Sequence, residues 1–200
     1  MKEIEPLQRL ITRLARLPGV GRRSAERMAF RLALDTKGLR ADLIGALQEV
    51  EEQICCCSVC GNLTLKSRDP CAICTDARRD RHLLCVVEDP SGIQQIEAAG
   101  SYQGVYHCMM GKLSPMQGQD IPPASVERLL KRIRDDAVRE VILAFDSDVE
   151  SDATASYLHE KLGSAEVRVT RLGFGIPAGS GIAYSDPVTL ARALHGRQQF

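Results

Sequence analysis

The fold class is decided by residues 140–162, EVILAFDSDVESDATASYLHEKL. The run from 140 to 145 is mostly apolar, which is typical of a buried strand, and a helical pattern follows near 151–162. Between them lies a short loop with two carboxylates, Asp146 and Asp148. An apolar strand, a polar loop and a helix in succession are the repeating element of a parallel α/β sheet.

The same alternation continues on both sides of this stretch. Further apolar runs and helical patterns take turns along the chain, at 83–87, 91–99, 104–109, 124–136 and 166–170. We therefore predict an α/β domain with a mostly parallel sheet in the second half of the chain.

The first 54 residues are different, because their pattern is helical throughout. Apolar residues at three- and four-residue steps predict an amphipathic helix over 4–17, which Pro18-Gly19-Val20-Gly21 ends. A second helix is predicted from Arg22 to about Leu34, and a third over 39–54.

The turn between the first two predicted helices is tight and is followed by four arginines: Arg22, Arg23, Arg27 and Arg31. Its glycines allow positive φ, and the N–H groups that begin the next helix offer a phosphate site. Arg23, Arg27 and Arg31 are four residues apart and share one helix face. This pattern is typical of a helix-hairpin-helix, which holds the nucleic-acid backbone without reading bases. An ordinary αα-hairpin with an exposed arginine face is the alternative.

Two CxxC pairs, ten residues apart, are formed by Cys57, Cys60, Cys71 and Cys74. This spacing predicts one tetrahedral Zn²⁺, which would be structural because four thiolates complete its coordination. The ion would fold a segment that has too few apolar residues for its own core. Cys55 and Cys56 precede the first pair and compete as ligands. A redox or disulfide role is the alternative for these cysteines.

Carboxylates follow the ends of two predicted strands: Glu88, Asp146, Asp148, Glu150 and Asp152. Because sites assemble at strand ends in an open α/β sheet, we expect Glu88 to meet Asp146 and Asp148. Clustered carboxylates repel one another unless a cation lies among them, and Mg²⁺ suits such oxygen ligands. A strand-end Glu with a later Asp-x-Asp resembles the Toprim pattern of topoisomerases, primases and some nucleases. A solvated acidic loop that favours the start of the next helix is the alternative.

The charges balance overall, with 26 basic and 26 acidic side chains, but they are separated along the chain. Residues 1–40 carry a net charge of +6 and residues 83–170 carry −6. This asymmetry favours one end that faces a polyanion and another that meets a metal or a basic partner. Two ordinary solvated faces are the alternative. The apolar runs are too short for a membrane span and the N-terminus has no signal core, so we expect a cytoplasmic protein without membrane contact.

The tail is rich in glycine from Gly173 to Gly181, and a short helix is predicted around Val188–Leu194. The glycines lack the Lys-Ser/Thr ending of a phosphate-binding Walker A loop. A structural loop or a subunit contact is therefore favoured over a phosphate site.

A helix-hairpin-helix, a four-cysteine motif and a Toprim domain, in this order, resemble the RecR family of bacterial recombination mediators. Leu113-Ser-Pro-Met-Gln-Gly118 and the segment 184–197 also look like that family. The resemblance implies an α+β fold in several modules, with an N-terminal helix-hairpin-helix, a four-cysteine zinc finger and a C-terminal α/β Toprim domain. The implied modules are a helical DNA-binding domain at 1–54, a four-cysteine zinc finger at 55–82, the Toprim domain at 83–170 and a C-terminal segment at 171–200.

The resemblance also implies a function in DNA repair, without catalysis. Members of the family work with RecO and RecF to bring RecA onto gapped DNA, and they form dimers and ring-like tetramers. Their basic hairpin positions match Arg23 and Arg27, and their zinc ligands match the four cysteines of the CxxC pairs. Their acidic face, which meets partner proteins, matches Glu88, Asp146, Glu150 and Asp152. The implied partners are therefore DNA (gapped, single- or double-stranded), RecO, RecF and further copies of the chain near the nucleoid.

The chain departs from the family pattern at the end of the third predicted strand. Asp146-Ser147 replaces the usual Asn-Pro, and Asp148 and Ser151 replace an uncharged residue and a glycine. These changes move the loop towards a metal-binding Toprim pattern. The alternative function is therefore a Mg²⁺-dependent nuclease with Glu88, Asp146 and Asp148 as ligands.

Overall fold

The computed structural model describes residues 4–114, 118, 120–163, 165–173, 175–176 and 179–197. The Leu113–Gly118 segment and the glycine-rich tail from Gly173 to Gly181 are only partly covered. Positions 115–117, 174 and 177–178 lie outside the described residues. The chain forms two compact units, Met1–Ile54 and Cys55–Phe200, and each is described by itself.

The first unit consists of three helices, α1 (Glu5–Leu14), α2 (Arg22–Ala33) and α3 (Leu39–Gln53). Its small core lies between α1 and α2, around the buried Ile11, Ala25 and Ala29. α1 ends three residues before the predicted position, because the N–H of Leu17 bonds to the carbonyl of Leu14, 3.1 Å away, in a tighter turn. Gly19 then takes a φ of 74°, which reverses the chain into α2.

The corner between α2 and α3 is fixed by polar contacts. Nη1 of Arg40 lies 3.3 Å from the carbonyl oxygen of Leu32 and 3.4 Å from that of Ala33, so it covers the last turn of α2. The Asp35 carboxylate accepts the backbone N–H groups of Lys37 and Arg40, both at 3.0 Å. Arg40 therefore serves the fold of this unit.

The second unit begins with the cysteine-rich segment. It contains the short strands β1 (Ile54–Cys56) and β2 (Leu63–Leu65), a 3-10 turn at Lys66–Arg68 and the one-turn helix α4 (Ala72–Thr75). β1 and β2 pair with each other. The backbone leaves β1 directly into the first CxxC turn.

A parallel sheet of four strands follows, formed by β3 (Asp80–Val87), β4 (Gly104–Cys108), β5 (Glu140–Ala144) and β6 (Arg168–Arg171). The strand order is β4-β3-β5-β6, and the crossovers contain α5 (Pro90–Ala99), α6 (Pro123–Asp135) and α7 (Val149–Leu162). The chain turns to one side of β3 to form β4 and to the other side to form β5. The carboxyl ends of β3 and β5 therefore meet at the topological switch point, where sites form in such sheets.

Both faces of the sheet are covered, as expected for parallel strands. Leu84 and Val86 of β3 pack into a core with α6 and α7, whereas Cys85 and Val87 alternate to the other face and pack beside Ile93 of α5. The predicted α+β fold with a mostly parallel sheet is confirmed.

The chain ends in α8 (Pro187–His195) after a 3-10 turn at Ile182–Tyr184. The Asp186 carboxylate caps α8, since it accepts the N–H groups of Val188 and Thr189, each at 3.0 Å. In the described part of the chain, no helix combines the length and the apolar character that crossing a membrane requires.

Candidate functional site

The arginine face, which we define as Arg23, Arg27 and Arg31, lies exposed along α2. The three side chains line one open surface groove together with Met28 and Phe30. Ala25 and Ala29 of the same helix are fully buried against α1, so helical periodicity alone turns the arginines to solvent. The face is therefore available for a polyanion.

Arg22 differs from the arginine face, although the sequence predicted the four together. Its Nε lies 3.4 Å from Oε1 of Glu26, one turn further along the helix. Among the described residues no side chain caps the N-terminus of α2, and its first turn holds no acid. The positive end of the helix dipole and its first N–H groups therefore add to the arginine charges.

The cysteine cluster, which we define as Cys57, Cys60, Cys71 and Cys74, is buried, and its four Sγ atoms lie within 4.8 Å of one another. The backbone forms a turn around the first pair, in which the N–H of Cys57 bonds to Asn62 O at 2.7 Å and Gly61 N–H bonds to Cys57 O at 2.9 Å. Gly61 has a φ of 78°, a conformation that favours glycine. The sequence thus folds locally into two turns that point their thiols at one position.

The surroundings of the thiols suit thiolate ligands. The N–H of Cys71 lies 3.3 Å from Cys57 Sγ, and the N–H of Asn62 lies 3.4 Å from Cys60 Sγ. Burial by itself raises the pKa of Cys57, but the backbone N–H groups of Cys71, Cys60 and Val59 bring that pKa below its ordinary value. Burial raises the pKa of Cys71 to about 11, so a cation is needed to hold all four groups as thiolates. The cluster therefore fits a metal such as Zn²⁺.

Among the described residues, the cluster contains these four cysteines and not Cys55 or Cys56. Cys55 is half-buried and Cys56 is exposed.

The cysteine segment is joined to the sheet by hydrogen bonds. The N–H of Cys108 on β4 bonds to the carbonyl of Cys60 at 2.8 Å, and Arg132 of α6 donates to the carbonyl of Val59 at 3.3 Å and also to that of Tyr106. Arg81 of β3 donates to the carbonyl of Cys74 at 3.0 Å. Sequence reasoning missed both arginines, since a charged residue within a predicted strand or helix gives no sign of a distant partner.

The carboxylate edge, which we define as Glu88, Asp146, Asp148, Glu150 and Asp152, lies at the carboxyl ends of β3 and β5. The register pairs Val87 with Ala144, so Glu88 and the loop after Ala144 leave the sheet side by side. Lys112, from the segment between β4 and α6, places its Nζ 2.8 Å from Asp148 Oδ2 and 3.7 Å from Glu88 Oε2. The same Nζ lies 3.8 Å from Oε2 of Glu150. Glu88 and Asp148 of the three carboxylates that were expected to meet thus lie around a lysine, together with Glu150, whereas Asp146 does not.

The other two carboxylates have different surroundings. Asp152 Oδ1 lies 2.6 Å from Nη2 of Arg171, and its Oδ2 lies 3.2 Å from Nη2 of Arg192 on α8. In the part of the chain that the structure describes, the Asp146 carboxylate forms no hydrogen bond or ion pair. The structure therefore divides the five predicted acids into three around Lys112, one between two arginines, and Asp146, which faces solvent.

The ionisation of the carboxylate edge follows from these contacts. The hydrogen bond from Lys112 and the N–H of Ser151 hold the pKa of Asp148 at about 2. Burial raises the pKa of Glu88, an effect that the Lys112 charge partly offsets. Asp148 also caps α7, because its Oδ1 accepts the N–H of Ser151 at 2.7 Å.

Sequence reasoning missed the three cations of this edge, Lys112, Arg171 and Arg192. Lys112 alone left a signal, since it is the one lysine or arginine between residues 104 and 122 and directly precedes the Leu113 segment. Arg171 and Arg192 lie among other basic residues, so the contact that distinguishes them is tertiary.

Comparison with known proteins agrees with this arrangement. Residues 82–173 match the Toprim domain, residues 7–50 match the helix-hairpin-helix of RecR, and residues 175–198 match the C-terminal region of RecR. "Recombination protein RecR" of Moorella thermoacetica is 44% identical over 195 residues, which is 98% of this chain and 97% of that protein. The proteins of the same name from Bifidobacterium longum subsp. infantis and Desulforudis audaxviator are 42% and 44% identical, each over 96% of both chains.

The basic hairpin, the cysteine cluster and the parallel sheet with carboxylates at its switch point define a helix-hairpin-helix protein of the Toprim class. The relatives align with nearly the whole chain, so the likeness includes every part of it, from the hairpin to the C-terminal region. The chain belongs to the RecR family of recombination proteins, and the resemblance predicted from the sequence is confirmed.

Proposed function

We propose that this chain is a mediator of recombination in DNA repair, and that it acts by binding DNA and partner proteins, not by cutting DNA. Its membership of the RecR family supports a role in recombination. The observation that carries the proposal is the exposed arginine face of α2, next to a helix N-terminus without a side-chain cap.

DNA would be held through its phosphates. The guanidinium groups of Arg23 and Arg27 and the first N–H groups of α2 are donors with no sequence preference of their own. Such contacts give affinity that falls steeply with salt and that is similar for single-stranded, double-stranded and gapped DNA. Arg31 extends the row by one turn, and Arg22 contributes less because it is paired with Glu26.

Partner proteins would be recruited by the carboxylate edge. We propose that it binds RecO, whose complementary surface would be basic, and that RecF joins the assembly to help RecA load at single-strand gaps. Asp146 is the carboxylate best placed for this, because it is exposed and, among the described residues, has no cation of the chain paired with it.

The proposed assembly is a ring of several copies that surrounds DNA within the nucleoid. Weak contacts by each subunit then add up, since a second arginine face on the same ring binds at a high effective concentration. In each subunit the proposed modules are 1–54 for DNA, 55–82 for structural Zn²⁺ held by the cysteine cluster, 83–170 for partners, and 171–200 for subunit contact.

Replacement of both Arg23 and Arg27 by Ala tests the DNA-binding proposal. Two lost phosphate contacts should weaken binding to every DNA sequence alike, and should reduce the slope of log K against log salt by about 1 for each contact. The measurement is fluorescence anisotropy of a labelled gapped duplex over a series of salt concentrations, with Mg²⁺ present.

Two variants serve as controls. The double Lys variant keeps both charges and should retain most of the salt dependence, while Arg22→Ala should have the smaller effect. An unchanged affinity in the double Ala variant would remove the arginine face from the mechanism. A signal that rises and then decays as the DNA is cut would contradict a function by binding alone.

A further inference from the structure

The segment between β4 and α6 delivers one cation to the carboxylate edge. The Lys112 side chain is 22% exposed, and its Nζ has three carboxylates around it at 2.8–3.8 Å. These carboxylates come from two different elements, since Glu88 directly follows β3 and the other two, Asp148 and Glu150, lie at the start of α7. One ammonium thus joins parts of the edge that are far apart in sequence.

The backbone on both sides of Lys112 is fixed to the sheet and to α7. The N–H of Met109 bonds to the carbonyl of Val87 at 2.9 Å, and the N–H of Gly111 bonds to that of Glu88 at 3.2 Å. After the lysine, the N–H of Leu113 bonds to Oγ1 of Thr154 at 2.9 Å. Next along the chain, the Ser114 hydroxyl donates to the Glu150 carboxylate. The position of Lys112 is therefore built into the fold, in contrast to an exposed ion pair between two free side chains.

We propose that the Lys112 ammonium is the built-in cation of the carboxylate edge and takes the place that Mg²⁺ would need there. A Toprim fold implies a divalent metal at these strand ends, and the residues present do not fit one while Lys112 is in position. An Mg²⁺ ion at the position of Nζ would lie 3.7 and 3.8 Å from the nearest oxygens of Glu88 and Glu150. These distances are too long, because Mg²⁺ requires its oxygens at about 2.0–2.1 Å. A metal ion entering the cluster would also meet the positive charge of the lysine.

The ionisation of the groups supports this assignment. Contact with Asp148 raises the pKa of Lys112 above its ordinary value, so the side chain stays charged at physiological pH. The same contact keeps Asp148 ionised, with a pKa of about 2. The positive charge of Lys112 therefore offsets the repulsion among the carboxylates. The chain reaches a stable Toprim fold with no need for a divalent ion at this edge.

Replacement of the charge should convert the edge into a metal site. The variants are Lys112→Gln, which keeps polar contacts without the charge, and Lys112→Arg, which keeps the charge. Each is titrated with MnCl₂, and free Mn²⁺ is followed by electron paramagnetic resonance. Mn²⁺ prefers oxygen ligands, so it does not compete for a thiolate cluster.

We expect Lys112→Gln to bind one Mn²⁺ per chain at least about tenfold more tightly than the wild type, because a unit charge about 4 Å away is removed. Lys112→Arg should behave like the wild type. Addition of Asp148→Asn to Lys112→Gln should abolish the new site. Wild-type binding of one Mn²⁺ that Asp148→Asn removes, or equal affinities of the wild type and Lys112→Gln, would overturn the proposal.

A second measurement needs no substitution at Lys112 and so decides the matter even if that variant fails to fold. Thermal unfolding of the wild type is followed by circular dichroism with and without millimolar Mg²⁺. We expect the same melting temperature in both conditions, since an ion that does not bind the native state does not stabilise it. A rise that disappears in Asp148→Asn would show a metal at the edge and contradict the proposal.

Discussion

A network of partly buried polar side chains joins α5 to β4. Arg79 pairs with Glu97 and also donates to the carbonyls of Tyr102 and Gly104, at 3.4 and 3.3 Å. The Tyr106 hydroxyl completes the network by donating to Glu97 at 2.6 Å. These contacts hold α5 against the beginning of β4, since charges that are largely removed from water need to be paired.

His107 on β4 is a buried polar side chain of another kind. It is 4% exposed, and among the described residues neither ring nitrogen has a hydrogen-bond partner. Burial, together with the charges of Arg132 and Arg128, lowers the pKa of His107 to about 4. The folded protein therefore keeps this imidazole neutral.

This histidine should make the protein sensitive to mild acid. The ordinary pKa of a histidine is 6.5, so between pH 6.5 and about 4 the unfolded chain takes up a proton that the folded chain does not. His107 therefore does not reduce the free energy of unfolding above pH 6.5. As the pH is lowered from 6.5 to 4, this group reduces that free energy by about 3 kcal/mol. The measurement is the free energy of unfolding in urea at a series of pH values.

The control is His107→Leu, which fills a similar volume without a titratable group. Its stability should fall less on acidification, by the contribution of His107, while other carboxylates act on both proteins alike. At pH 7 the variant should be at least as stable as the wild type, because an unpaired buried polar group is lost. Parallel pH profiles of the two proteins would contradict the assignment.

At the scale of elements, the cysteine segment is a small structure that depends on its neighbours. Its strands β1 and β2 have three residues each, and its buried side chains are chiefly the four cysteines. The segment is fastened to β4 through the hydrogen bond from the backbone N–H of Cys108 to the carbonyl of Cys60. Collapse of the cluster should therefore loosen that side of the sheet as well.

Loss of one ligand tests this dependence. If the cluster holds the proposed zinc, Cys60→Ser should reduce it from one ion per chain to almost none, because three thiolates hold the ion much less firmly. We expect its melting temperature to fall by about 10 °C or more, since each kcal/mol is worth roughly 2–4 °C in a chain of this size. Zinc is measured by elemental analysis, and unfolding by circular dichroism.

Cys56→Ser is the matched control, because Cys56 is exposed and lies next to the cluster without belonging to it. It should keep its zinc and its melting temperature. Loss of zinc from Cys56→Ser with retention in Cys60→Ser would mean that the ligand set has been wrongly assigned.

At the scale of the whole molecule, charge is separated along the chain. The first 40 residues have a net charge of +6, and the exposed arginine face lies among them. In the second unit, Lys112, Arg171 and Arg192 offset part of the charge of the carboxylate edge. Asp146 is the exposed carboxylate of this edge that, among the described residues, has no paired cation.

Two charge-neutral variants separate partner binding from stability. Asp146→Asn should weaken the proposed binding to RecO by about threefold to tenfold at low salt, with an unchanged melting temperature, because the exposed carboxylate acts on the encounter. Asp152→Asn should lower the melting temperature, since it removes the carboxylate shared by Arg171 and Arg192. Binding is measured by surface plasmon resonance at several salt concentrations.

The expected contrast lies between the two variants. Equal losses of RecO affinity from Asp146→Asn and Asp152→Asn would show that the edge acts through its total charge. A fall in melting temperature for Asp146→Asn would show that its carboxylate has a structural partner.

The sequence by itself determined the features that depend on local pattern. Helical periodicity placed α1–α3, because a helix that buries one face has apolar residues at three- and four-residue steps. Apolar runs between helices placed the four parallel strands, because a strand that is buried on both faces is apolar throughout. The spacing of the cysteines predicted their cluster, since two CxxC turns bring four thiols to one point. Strand order was not needed for any of these predictions.

Only the tertiary structure decided which cation meets which carboxylate. Lys112 and Asp148 are 36 residues apart, and Arg192 and Asp152 are 40 apart. Arg132 and Val59 are 73 apart. Such pairs have no periodicity, since each is set by how elements that are distant in sequence pack against one another. Two of the three carboxylates that looked like metal ligands in the sequence, Glu88 and Asp148, therefore face a lysine, because folding brings a distant charge to them.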